Sequence, residues 1–274
     1  MNEIEPHAAG IKAIHIPETG VVNYRQVCER LAAFIKEREG RVVTGARVTR
    51  MIESASEVII ESEAGEFSSS YAINCAGLQS DRVARMSGSP SPAKIIPFRG
   101  EYFKLKAEAS RLCKNLIYPV PDPRFPFLGV HLTRMIDGSV ECGPSAILAF
   151  AREGYNKTDV RFADLIETIT YPGFLKLAAR YWKTGAMEMW QSLSKAAFAK
   201  ALQRLVPEIR VEDMEPAPSG VRAQAVSPDG AMVDDFAFHE QARIVNVINA
   251  PSPAATASLS IGRMIVKRLA KRFT

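Results

Sequence analysis

The residues able to do chemistry are scattered along the 274 positions of the chain. His131 sits in the apolar stretch Phe127-Leu128-Gly129-Val130-His131-Leu132-Thr133. An imidazole there can exchange a proton near neutral pH, as a general base must. A lone histidine on an apolar strand serves equally as a hydrogen-bonded core residue. Gly220-Val221-Arg222 opens a strand with one cation, and a guanidinium can hold a carboxylate by two parallel hydrogen bonds. Phe98-Arg99-Gly100-Glu101-Tyr102-Phe103 mixes Arg, Glu and Tyr with bulky apolar residues, which suits a pocket wall or a plain sheet face. Ser252 suits a helix N-cap and Pro253 the first helical position, and Ala254, Ala255 and Thr256 after them are small. A planar ligand could lie against that backbone, where exposed N–H groups favour negative charge. Taken alone the motif is a well-capped helix. Finally, Ile73-Asn74-Cys75-Ala76-Gly77 turns through small residues, either to admit a cofactor or as a generic strand–helix corner.

Hydropathy periodicity supplies the elements that must hold these groups. Residues 11–16 alternate as a strand, and Asn23 with Gln26 has the spacing of a capping box. The helix that follows puts Val27, Leu31, Phe34 and Ile35 on one stripe and stops at Gly40. Strands are expected over 41–43, 48–52, 58–62 and 71–74, then a helix over 80–86. Ser89-Pro90-Ser91-Pro92 marks a boundary. Beyond it strands are expected over 95–105, 116–120, 127–133 and 139–143, and helices over 159–168, 174–183 and 186–205. Strands return over 221–226, 232–238 and 244–249 before a last helix. The middle has no βαβ rhythm. The pattern predicts α/β plus α+β architecture, with a mixed or antiparallel sheet domain over 95–215 inserted between 1–94 and 216–274.

Composition bounds the function. The chain is 47% hydrophobic, 24% charged and 8% aromatic, which is ordinary globular material. No apolar run approaches the roughly 18–20 residues of a membrane-spanning helix. Met1-Asn2-Glu3-Ile4-Glu5-Pro6 is unlike a secretion leader, so a cytoplasmic chain is expected. The four cysteines, Cys28, Cys75, Cys113 and Cys142, form no Cys-x-x-Cys pair; free thiols and no metal site are expected. Six bases follow Glu240 with no acid among them, exceeding the whole net charge of +5. The rest of the chain is therefore slightly acidic, and no aromatic platforms interleave with the bases, which argues against nucleic acid. The basic tail reads first as the solvated face of a final helix and second as a peripheral contact with the anionic inner face of a membrane.

No phosphate-binding loop, nucleophile elbow, zinc-helix motif or G-x-G-x-x-G is present. Six segments in order nonetheless resemble one family. They are Asn74-Cys75-Ala76-Gly77-Leu78, Phe98-Arg99-Gly100-Glu101-Tyr102-Phe103, Leu116-Ile117-Tyr118-Pro119-Val120-Pro121, Phe127-Leu128-Gly129-Val130-His131-Leu132-Thr133, Gly220-Val221-Arg222-Ala223-Gln224 and Asn249-Ala250-Pro251-Ser252-Pro253-Ala254-Ala255-Thr256. Together they resemble the L-2-hydroxyglutarate dehydrogenase/oxidase family of the D-amino-acid-oxidase-like FAD-dependent oxidoreductases, over nearly the whole chain.

The resemblance implies that 1–94 and 216–274 form an incomplete FAD-binding Rossmann-like domain, lacking the strand–GxGxxG–helix unit with which members begin, and that 95–215 bind substrate. It implies oxidation of (S)-2-hydroxyglutarate to 2-oxoglutarate, with hydride passing to flavin N5 and electrons on to a quinone or oxygen. His131 would be the base. Arg222 and Arg99 would hold carboxylates, with Tyr102 and Tyr118 as hydroxyl donors. FAD would lie against Val48, Ala76, Gly77, Gly220, Ser252, Pro253, Ala254, Ala255 and Thr256. Two other readings stay open: an inactive fragment or binding module without flavin, and an oxidase of the amino-acid or glycerol-3-phosphate type.

Overall fold

In chain order, the computed structural model comprises α1 (Tyr24–Glu37), β1 (Val48–Glu53), β2 (Val58–Ser62), β3 (Gly65–Ser69), β4 (Ala72–Asn74), α2 (Ser80–Met86), β5 (Lys94–Leu105), β6 (Leu116–Ile117), β7 (His131–Arg134) and β8 (Val140–Leu148). There follow α3 (Phe162–Ile169), α4 (Pro172–Leu193), α5 (Lys195–Leu202), β9 (Met214–Val226), β10 (Ala237–Glu240), β11 (Ile244–Asn249) and α6 (Ser258–Ala270). The structure describes residues 1, 3–89, 91–120, 129–251 and 254–272. Two units result: Met1–Asn23, Phe98–Val160 and Arg180–Arg222 form the first, and Tyr24–Pro97, Arg161–Ala179 and Ala223–Thr274 the second.

The first unit is built on an antiparallel sheet in the order β6-β7-β8-β5-β9. Alternation along its strands sends Leu132, Cys142, Phe103 and Leu105 to one face, where they pack with Phe198 and Leu202 of α5 and with Val206, Ile209 and Met214. The Phe103 and Phe198 rings lie 4.7 Å apart at 57°. The fully buried Phe198, Leu132 and Leu202 contribute about 1.5–3 kcal/mol each. Ser194 starts α5, its Oγ accepting the Ala197 N–H at 3.2 Å. Glu5, 7% exposed, ties residues 1–23 to this unit by accepting the Asn115 N–H at 2.5 Å and the Lys114 N–H at 3.1 Å.

The second unit holds a meander, β1-β2-β3, and a smaller sheet, β10-β11-β4. β11 is antiparallel to β10 and parallel to β4, with Ile244, Val245 and Asn246 opposite Ala72, Ile73 and Asn74. Every residue of β11 is buried. Val245 and Val247 pack on Ile265 and Leu269 of α6, while Ile244 joins Met51, Val58 and Ala72. A strand covered on both faces reads as a continuous apolar run, and Ile-Val-Asn-Val-Ile-Asn nearly is one.

Several expectations are corrected. Residues 11–16 and 41–43 form no strand, because alternation makes a strand only where a neighbour supplies the ladder; Ile11 is fully exposed and Val42 and Val43 are 41% and 43% exposed. The polar strand β3 was not foreseen; it is recruited as the partner of β2. The helices expected over 174–183 and 186–205 divide elsewhere: α4 runs through Gly185, kinks at Tyr181, and gives way to α5 at Ser194. The last helix begins at Ser258, not Pro253. Ala257 and Ser258 donate to the Ala254 and Ala255 carbonyls, tight turn bonds in place of the first helical turn. The unit boundaries fall inside β5 and β9, not after 94 and 215; residues 1–23 group with the first unit and 161–179 with the second.

Candidate functional site

Strand pairing places His131 opposite Gly143, and Thr133 opposite Glu141, which pairs on its other side with Lys104. Since Leu132, Cys142 and Phe103 face the core, His131, Thr133, Glu141, Tyr102 and Lys104 share the opposite face of the sheet. Tyr118, just past β6, stacks on His131 with ring centroids 4.2 Å apart and an 18° interplanar angle. Its hydroxyl lies 3.4 Å from Thr133 Oγ1. The sheet thus assembles His131 of β7, Tyr102 of β5 and Tyr118, just past β6, on one surface.

His131 is half-buried, and its Nδ1 lies 3.1 Å from the Gly129 carbonyl oxygen. A carbonyl oxygen can only accept, so Nδ1 carries the proton and Nε2 keeps the lone pair. Burial lowers the imidazole pKa, outweighing the opposing bond to Gly129, so the ring is neutral at neutral pH. The Tyr102 hydroxyl is pushed up, first by burial and then by Glu141 and Tyr118, and stays protonated as a donor. Burial raises Glu141 too, against the pull of Lys104. Gly143 is needed at this row: its φ is +147°, and a Cβ there would meet the Glu101 carbonyl oxygen at 2.8 Å and Tyr102 Cδ1 at 2.9 Å.

Arg99 is a correction. It lies on the core side of β5 with Glu101, only 2% exposed, and donates to Glu101 Oε1 from Nη2 at 2.9 Å and Nε at 3.2 Å. Nη1 donates to the Asn156 carbonyl at 2.8 Å. Ser192 of α4 and Lys157 complete the cluster, reaching Glu101 Oε2 at 2.5 and 3.2 Å. This arginine therefore holds strand, loop and helix together and does not face the His131 surface. Arg222 stands half-buried on β9, the strand next to β5, two residues after an exposed Gly220.

The second unit contributes a separate feature. Because β4 and β11 are parallel, the segments after Asn74 and after Asn249 leave the same edge of the sheet, the carboxyl edge where open α/β sheets take their ligands. Buried amides brace this corner: Asn74 Nδ2 donates to Asn246 Oδ1 and to the Ser80 carbonyl, both at 2.9 Å, and Asn74 Oδ1 accepts the Ala76 N–H at 3.0 Å. Ser80 Oγ donates to the Ile248 carbonyl at 2.9 Å. Gly77 takes φ +53°, and the space where a Cβ would stand is open. Ala76 and Gly77 are exposed, as are Ala255 and Thr256, whereas Ala254 and Val48 are half-buried. Ser252 and Pro253 lie outside the described residues, as do Pro121, Phe127 and Leu128. A small-residue corner with open space at its glycine fits a large flat or phosphate-bearing cofactor lying against the main chain.

Other groups were missed from sequence. The Glu5 anchor and the Glu101–Ser192–Lys157 cluster carry no local signal, since their partners are distant in the chain. Glu188 of α4 is another: it accepts the Ala146 N–H at 2.9 Å, and burial raises its pKa. All four cysteines are free; Cys113 and Cys142 are buried, and burial pushes the Cys113 thiol up to about 12. Among the described residues no group of His, Cys, Asp and Glu could hold a metal ion, and no helix is long and apolar enough to cross a membrane. A surface groove of about 700 Å³ runs along α6, lined by Glu240, Arg263, Lys267 and Lys271 and by none of the expected site residues.

The family described as FAD dependent oxidoreductase matches residues 1–268. An L-2-hydroxyglutarate dehydrogenase of Indibacter alkaliphilus is 50% identical over 274 residues, covering all of this chain and 69% of that protein. Its namesake from Escherichia coli K12 is 43% identical over 270 residues, 98% of this chain and 64% of the relative. The chain thus spans about two thirds of the length of these relatives. Among solved structures, an FAD-bound L-alpha-glycerophosphate oxidase from Mycoplasma pneumoniae superposes with a TM-score of 0.68 at 16% identity, over 98% of this chain and 62% of that one.

Proposed function

Because the chain belongs to the FAD dependent oxidoreductase family, we propose that it serves the FAD-dependent oxidation of (S)-2-hydroxyglutarate to 2-oxoglutarate. The observation that carries the reading is the orientation of His131: Nδ1–H is engaged by the Gly129 carbonyl, and a neutral ring offers Nε2 as the base. FAD bound to this chain would supply the acceptor for the C2 hydride, with a quinone or oxygen as the final electron acceptor.

The remaining work belongs to this chain. His131 Nε2 takes the proton of the C2 hydroxyl as C2 is oxidised. The Tyr118 ring keeps water from one side of the imidazole, and the hydroxyls of Tyr118 and Tyr102 orient the substrate oxygens. Arg222 pairs with one carboxylate, for which a guanidinium is better suited than an ammonium because it binds both oxygens at once. The carboxyl-edge corner at Ala76 and Gly77, with Val48, Ala254, Ala255 and Thr256 of the same unit, is the surface that would hold FAD; Gly220, Ser252 and Pro253 complete the set that the family resemblance implies. The bases Arg263, Lys267 and Lys271 on α6 favour contact with an anionic membrane surface, which sedimentation with phosphatidylglycerol vesicles would test.

A chimera tests the reading. This chain replaces the corresponding residues of the Indibacter relative, and dye reduction is followed with L-2-hydroxyglutarate, its D enantiomer, glycine and glycerol 3-phosphate. Preference for L-2-hydroxyglutarate is expected. Preference for glycine or glycerol 3-phosphate would assign the chain to another oxidase type.

A further inference from the structure

The second half of α4 carries its amphipathic character inverted. Beyond the kink at Tyr181 the groups turned to the sheet are polar: Glu188 accepts the Ala146 N–H at 2.9 Å. Ser192, one turn further on, is buried and donates to Glu101 Oε2 at 2.5 Å. The groups turned outward are aromatic and apolar. Trp182, Ala186, Trp190 and Leu193 recur at spacings of four, four and three, one side of an α-helix, with Met187 beside them. Trp182 and Trp190 are 63% and 64% exposed, Leu193 71% and Met187 48%. A surface helix ordinarily shows its polar side to water and keeps its apolar stripe for a packed layer.

The middle of this face is small. Gly185 and Ala186 are exposed, and a Cβ at Gly185 would stand in open space. Glycine inside a helix costs stability relative to alanine, and no neighbour at that position calls for it. A bare centre lets a second helix axis approach to about 8–10 Å. The stripe is also symmetric about that centre, with Trp182 and Trp190 equally far from Ala186 on either side. A two-fold axis at Ala186 therefore sets Trp182 of each copy against Trp190 of the other, the self-complementarity that an isologous contact requires. Trp and Met are enriched in such contacts. Lys183, the one exposed charge from Trp182 to Leu193, lies over the Trp182 ring with Nζ 5.7 Å from its centroid. A single cation offers little to an anionic lipid surface.

With Trp side chains of up to about 250 Å² each, these four residues present roughly 500 Å² per copy, the size of patch that marks an interface. A symmetric pair buries about 1,000 Å², the lower bound for a specific contact. We propose that the Trp182–Leu193 face of α4 is the interface of a two-fold homodimer whose helices cross at Ala186. The pairing lies within the first unit and is independent of the substrate reading.

Sedimentation equilibrium of the 274-residue chain tests this, together with tryptophan emission, which reports on this face alone because Trp182 and Trp190 are the two tryptophans of the sequence. A monomer–dimer equilibrium with Kd in the micromolar range is expected, and dilution through it should red-shift the emission with the same midpoint. Ala186→Arg places two cations at the axis and should raise Kd at least about 10-fold. Its circular dichroism and urea midpoint, both taken below Kd, should be unchanged, since the position is exposed and arginine favours a helix. Gly185→Leu fills the crossing with a neutral side chain and should weaken pairing likewise. The same measurements on the chimera with the Indibacter relative separate the other occupants. A monomer with blue-shifted emission at every concentration would give the face to residues that the relative carries beyond this chain. Emission that shifts only with phosphatidylglycerol vesicles would give it to a lipid surface. Either result overturns the proposal, as does a chain that stays monomeric well above micromolar concentration, or a dimer whose Kd neither variant changes. None of these readouts involves turnover, so a failed substrate assay leaves them interpretable.

Discussion

Replacing Arg99 with Met separates a structural arginine from a substrate anchor. The guanidinium is 2% exposed and makes two hydrogen bonds to Glu101, at 2.9 and 3.2 Å, and one to Asn156 at 2.8 Å. Removing one partner of a buried ion pair costs about 3–5 kcal/mol, mostly through the charge left behind. In Arg99→Met, Glu101 is not stranded: it keeps the Ser192 hydroxyl at 2.5 Å and the Lys157 ammonium at 3.2 Å. The loss should therefore fall at the lower end, about 3 kcal/mol, or about 6–12 °C in Tm for a domain of this size. In Glu101→Gln, Arg99 remains charged and buried with neutral acceptors only, and the loss should lie nearer 5 kcal/mol. The double variant Arg99→Met/Glu101→Leu removes both charges and should lose less than the two single losses added together. Thermal and urea unfolding followed by circular dichroism measure all three. A melt of Arg99→Met within 2 °C of the unmodified chain, with a raised KM for L-2-hydroxyglutarate in the chimera, would refute the structural role and return Arg99 to the substrate.

His131→Gln in the chimera should lower kcat by about 10²–10⁴, the ordinary worth of a general base; near-normal turnover would remove it from the role. Because burial lowers the His131 pKa, the imidazole is neutral at and above its usual value, and kcat/KM should fall only as pH drops below about 6.5. The same shift acts on stability: above about pH 6.5 the ring is neutral folded and unfolded, and as pH falls from there through the lowered folded value the unfolded chain binds the proton first and stability declines, a loss that His131→Gln should abolish in urea titrations. Arg222→Met should raise the KM for L-2-hydroxyglutarate with a smaller effect on kcat, and an unchanged KM would place the carboxylate anchor elsewhere. Gly143→Ala should cost about 1–3 kcal/mol by urea unfolding, because its Cβ would stand 2.8 Å from a main-chain oxygen that cannot swing aside.

Much of the fold was legible where the signal is local. The helix over 80–86 and the strand over 244–249 match their expected limits, the strand because an apolar run interrupted only by Asn246 and closed by Asn249 carries its own evidence. The His131 surface was legible only as separate pieces. Alternation along 98–103 already separates Arg99 and Glu101 from Tyr102, but it does not say which face becomes the core. That was decided when Phe198 of α5 packed on Phe103 and Ser192 of α4 reached Glu101, burying Arg99 and leaving Tyr102 with His131.

Strand composition alone proved insufficient at 11–16 and 41–43, where no neighbour supplies the hydrogen-bond ladder, while polar β3 became a strand because β2 offered one. Likewise Gly185 was absorbed into α4 and the helix broke at Ser194, where a side chain caps the next helix. Residue types determined the available chemistry: an imidazole, a guanidinium, two phenols and a small-residue corner. Tertiary structure decided which of them share a surface, because pairing partners and buried faces are set by contacts between segments far apart in the chain, and no local pattern encodes those.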